Sequence, residues 1–105
     1  MDNVMLYYSG KKFSNIKYLF VQEENINLKI NSTFTLYFKL EDEFNEFIAT
    51  IKKNIQNNPI ERLIIQFDIN DTQSIPLHQE GILVDTKLNT VTLTTPIRIS
   101  RGNYV

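Results

Sequence analysis

The sequence predicts an α+β fold: a twisted, mostly antiparallel β-sheet of about five to seven strands with one amphipathic helix, at about residues 42–57, packed on one face. Two observations carry that expectation. From Ile26 to Leu40 apolar and polar residues alternate in phase, with Ile26, Leu28, Ile30, Phe34, Leu36, Phe38 and Leu40 on one side. Period two means extended chain with one face turned to a core. Directly afterwards the period changes: Phe44, Phe47, Ile48, Ile51 and Ile55 recur at three- and four-residue spacing, the apolar stripe of a helix that must lie on a sheet.

The elements follow in order. Residues 4–8 and 13–22 read as two strands joined across Ser9-Gly10-Lys11-Lys12, where Gly10 can take the positive φ of a tight turn. The alternating run, as one strand, would span about 50 Å, whereas a globule of this length is only roughly 33 Å across. It must therefore bend sharply or form a hairpin. A three-residue loop at Asn31-Ser32-Thr33 keeps the apolar face intact by setting Ile30 opposite Phe34 and Leu28 opposite Leu36, and the hairpin is favoured. In the helix, Glu41, Asp42, Glu43 and Glu46 crowd the first turns and Lys52 and Lys53 come late, which complements the dipole. Asp42 is the expected N-cap and Asn57-Asn58-Pro59 the stop. A strand is expected at residues 61–69, the longest loop at 70–80, and two further strands at 81–85 and 90–100. Pro96 donates no N–H, so the last strand is expected at an edge or bulged there.

Length and composition bound the rest. A chain of 105 residues forms one domain, 1–105, and buries a single core without disulfides or metal. There is no cysteine, which excludes thiol nucleophiles, disulfides and cysteine-based zinc sites. The formal charge of −1 does not suit a nucleic-acid or membrane binder. The N-terminus lacks the basic start and apolar stretch of a signal peptide, so a soluble cytoplasmic protein is expected. Abundant Asn and Ile, with Lys above Arg, share A- and T-rich codons and point to a low-GC bacterium or its phage.

Candidate chemistry is sparse. His78, the sole imidazole, stands beside Glu80 without a nucleophile implied nearby, and reads as a loop residue. Asp68, Asn70 and Asp71 lack the spacing of a calcium loop. Three scattered glycines make no phosphate loop. No catalytic residue, cofactor or metal ligand is therefore assigned. Tyr7, Tyr8, Lys11, Lys12, Phe13, Lys17 and Tyr18 interleave rings with cations, but at strand spacing that assigns most of the rings to a core, and nucleic acid is not expected. Charge is segregated: net +2 up to Lys39, −6 from Leu40 to Asp85, and +3 thereafter.

The expectation is a small non-enzymatic protein-binding module, an inhibitor, immunity factor or adaptor, whose acidic middle meets a partner protein with a basic surface. Its contact residues would be Glu43, Glu46, Asp71 and Glu80, with Tyr7 and Tyr8 as aromatic anchors. The alternatives are a self-assembling structural subunit that uses edge strands to form a homo-oligomer, and a small-ligand or nucleotide-binding protein with a pocket between helix and sheet.

Overall fold

In the computed structural model, which describes residues 2–57 and 61–99, the chain runs through β1 (Asp2–Tyr8), β2 (Lys11–Ile26), β3 (Lys29–Phe38), α1 (Glu41–Asn57), β4 (Leu63–Asp68), β5 (Asp71–Ile75), a 3-10 turn (Gln79–Gly81), β6 (Ile82–Asp85) and β7 (Thr90–Thr95). The strands form one sheet in the order β5-β4-β1-β2-β3-β7-β6, antiparallel at each junction. With the single helix laid on it, this is the expected α+β fold.

Two tight turns of the same kind start the sheet. Ser9 and Gly10 (φ 52° and 75°) join β1 to β2; Asn27 and Leu28 (φ 53° and 66°) join β2 to β3. Positive φ at both central residues defines the turn whose twist matches paired strands. The second turn corrects the expected hairpin. The phased run neither turns at Asn31-Ser32-Thr33 nor continues as one bent strand. Its turn lies at residues 27–28, and its pairing partner is β2: Phe34 faces Phe20, Leu36 faces Tyr18 and Phe38 faces Ile16. Phe34, Leu36 and Phe38 are buried, but Ile26, Leu28 and Leu40 are exposed although they share their phase.

The sheet is rolled. Across a flat sheet β5 and β7 would stand about 24 Å apart, five strand spacings. Yet Thr95, ending β7, donates its hydroxyl to the Pro76 carbonyl just beyond β5 at 2.9 Å. The Tyr18 ring on β2 likewise meets Phe67 on β4 at 4.9 Å, over the intervening β1. The concave side holds the core, including Val4, Leu6, Ile16, Leu63, Ile65, Ile75, Val91 and Leu93. Helix α1 inserts Phe44, Phe47 and Ile51 into it. Phe47 is the hub, with ring centroids 5.7, 5.4 and 5.2 Å from Tyr8, Phe13 and Phe38.

Three further expectations change. The helix begins at Glu41, so Asp42 lies within its first turn, and Phe44 N–H donates to the Leu40 carbonyl at 3.1 Å. Part of the stop Asn57-Asn58-Pro59 falls outside the described residues, as does Ser100. The supposed loop 70–80 contains β5, an edge strand whose single buried apolar residue is Ile75. Finally β7 is interior, between β3 and β6; it ends at Thr95, so Pro96 interrupts no ladder. Beyond it Ile97 and Ile99 rest on the core, Ile99 N–H donates to Ser32 Oγ at 3.3 Å, and Arg98 pairs with Glu23 at 3.1 Å.

Candidate functional site

The residues expected to contact a partner do not converge; they are distributed over α1, both faces of β1, β5 and the 3-10 turn. Glu43 is committed internally: its Oε2 accepts the Ser14 N–H at 2.8 Å, and its Oε1 is buried without a partner. Glu46 pairs with Lys11 at 3.2 Å on a half-exposed surface, a contact worth at most about 1 kcal/mol. Asp71 opens β5 partly buried, and Glu80 is exposed in the 3-10 turn beside His78. Tyr7 lies on the convex face and donates its hydroxyl to Gln66 Oε1 at 3.0 Å.

Tyr8 has to be withdrawn as an anchor. One position further along β1 its side chain points to the opposite face, where it is 1% exposed against Phe47 and its hydroxyl accepts from Asn54 Nδ2 at 3.0 Å. Burial pushes its hydroxyl above the usual tyrosine range; the Asn54 bond opposes this and the Glu61 charge adds to it. A raised folded-state value stabilises the fold below the unfolded tyrosine value near 10, and that contribution disappears as pH rises through the folded value. Denaturant midpoints measured from pH 8 to 12 are therefore expected to fall above about pH 10, and to fall less steeply in Tyr8→Phe. An identical decline in both proteins would refute this assignment.

Two surface features were not foreseen. The first is a two-stranded ribbon. The described β1 ladder leaves β2 at Tyr18 and the β7 ladder leaves β3 at Ser32, so residues 24–26 and 29–31 pair only with each other. The ribbon and its base carry apolar side chains in the open: Phe20, Val21 at a bulge, Ile26, and Leu28 at 96% exposure. Sequence phase assigned Ile26 and Leu28 to the core; the polar run Gln22-Glu23-Glu24-Asn25 before them was the signal that this stretch leaves it.

The second is a cavity of about 560 Å³, partly lined by Met5, Asn15, Lys39, Gln66, Asp68 and Ile69. It has two local causes. The β1–β4 ladder runs from Tyr7↔Ile64 to Met5↔Gln66 and no further, so the strands part there. Opposite Met5, β2 carries a bulge: Val4 pairs with Ile16 and Leu6 with Phe13, so Ser14 and Asn15 together face the one residue Met5, with Asn15 at φ 57°. Asn15 O accepts the Lys39 N–H at 3.2 Å, which brings the lysine to the rim. Met5 and Gln66 alternate with the buried Leu6 and Ile65, so the cavity opens on the convex side and not between helix and sheet. On the same side two hydroxyl pairs, Thr33–Thr94 and Thr35–Thr92, each at 3.0 Å, join β3 to β7.

Among the described residues no group of three or more His, Asp and Glu is arranged to hold a metal, and no helix is long and apolar enough to cross a membrane. Comparison with protein-family models, with curated proteins and with solved structures gave no match for this chain.

Proposed function

We propose that this protein is a non-enzymatic protein-binding module, an inhibitor, immunity factor or adaptor of bacterial or phage origin, and that the β2–β3 ribbon is its contact surface. The observation that carries the reading is the exposure of Ile26 and Leu28 on a ribbon that leaves the sheet body, with the exposed Val21 at its base. Apolar side chains scattered singly over a surface need no explanation, but several on one projecting element mark an interaction site. The ribbon moves the proposed contact from the helix acids to the opposite end of β2 and β3. Glu24 keeps an acid beside the tip, while Glu23 at the base is held by Arg98, so a partner with a basic residue at the rim of an apolar recess remains the best fit.

The test is retention of a partner from the native host on the immobilised chain. The double variant Ile26→Ser/Leu28→Ser should lose that partner while melting within a few degrees of the parent, because neither side chain belongs to the core. Equal retention by parent and variant would remove the ribbon from the reading.

A further inference from the structure

The two turns described above are a comparison made within one chain. Both have positive φ at their two central residues, and the second position is Gly10 in one and Leu28 in the other. Glycine takes this left-handed conformation without steric penalty, whereas a leucine Cβ crowds the following carbonyl. Leu28 is moreover 96% exposed, so no contact within its own molecule offsets the strain. Backbone outliers of this kind gather where a segment clamps a ligand or partner.

Resting on the reading of the ribbon as contact surface, we infer that the partner is a second copy of this chain, with the Leu28 tip of one molecule inserted in the convex-face cavity of the next. The cavity, about 560 Å³, is roomy enough for a leucine side chain, and Met5 and the 83%-exposed Ile69 offer it apolar surface. The charges around the two features are complementary. Glu24 and Lys29 flank the tip; Lys39 and Asp68 line the cavity. Each side carries one acid and one base, so the orientation that the charges favour is the one with Glu24 towards Lys39 and Lys29 towards Asp68. A membrane surface fits less well, because Glu24 offsets Lys29 at the tip, where an anionic bilayer would need a surplus of cations. Tip and cavity are different patches of one molecule, so the contact is head-to-tail and adds copies in series. A single hairpin tip covers little area, so association is weak and depends on concentration.

The test begins with sedimentation of the full chain from about 10 µM to about 1 mM, the range in which so small a contact should act. The average mass should climb past that of a dimer. Leu28→Gly should raise the melting temperature by about 4 °C while abolishing the climb; opposite signs exclude simple misfolding. Lys39→Glu should shift the association curve about tenfold, and adding Glu24→Lys should restore it. Because the chain has no cysteine, Leu28→Cys mixed with Ile69→Cys should form a mixed disulfide on oxidation, and Leu28→Cys mixed with Leu88→Cys should not. A chain monomeric at the highest concentration, assembly that survives Leu28→Gly, or cross-linking that favours position 88 would each overturn the inference. If the monomeric chain still retains a different protein through Ile26 and Leu28, the binding-module reading stands; if the ribbon retains nothing, both fall.

Discussion

Phe47→Ala should lower the stability of the domain by about 4 kcal/mol, the range found when a buried phenylalanine is truncated. Phe47 is fully buried and within ring contact of Tyr8, Phe13 and Phe38, from β1, β2 and β3, so its loss leaves a void that three strands border. Domains of this size are stable by only about 5–15 kcal/mol in total. The melting midpoint should fall by about 20 °C, read by far-ultraviolet circular dichroism. Phe47→Leu keeps most of the volume and should cost less than half as much. A loss below about 1.5 kcal/mol for the alanine variant, well under that range, would mean that the helix is not seated where the ring contacts put it.

The second large effect is expected at Glu43. Glu43→Ala should cost about 2 kcal/mol, because it removes a charge-assisted acceptor from the Ser14 N–H at the β2 bulge. Glu41, exposed in the same first turn, gives the control: Glu41→Ala should cost no more than about 0.5 kcal/mol, its share of the dipole interaction. The comparison separates a tether between helix and bulge from a general preference for acids at a helix start. Amide exchange at Ser14 should accelerate selectively in the Glu43 variant, and since Ser14 also lines the cavity, the bulge that shapes it should loosen at the same time. Equal losses at the two positions would leave only the dipole.

Glu43 also illustrates what could be read from the sequence and what could not. Its place among acids at a helix start has a sufficient local cause, and nothing in the linear order says that a bulged N–H from residue 14 comes within reach. The long-period signals were legible: the Phe44–Ile55 stripe is the helix that fills the trough, and Phe34, Leu36 and Phe38 are buried as their phase requires. Phase alone, however, does not say where a strand leaves the body of its sheet. Ile26 and Leu28 continue the alternation after the core has ended, and an Asn-Leu turn gives a weaker signal than Asn-Gly would. The strand β5 was hidden because Asp71-Thr72-Gln73-Ser74 is polar throughout, as an edge with its ladder on one side can be. Tyr7 and Tyr8 were indistinguishable as letters; a single step along β1 puts one on the surface and the other under the helix.

The strand order has a consequence for synthesis. Strands β1, β2 and β3 are successive hairpins and can pair as they leave the ribosome, but β3 finds its other neighbour only in β7, about fifty residues later. At roughly 5–20 residues per second, that delay lasts several seconds, during which Phe34 and Leu36 stand along an open strand border in the nascent chain. Helix α1 emerges within the interval and packs Phe44 and Phe47 on Phe38 of the same strand before translation supplies β7, so the order of elements along the gene also shortens the border that the growing polypeptide leaves open.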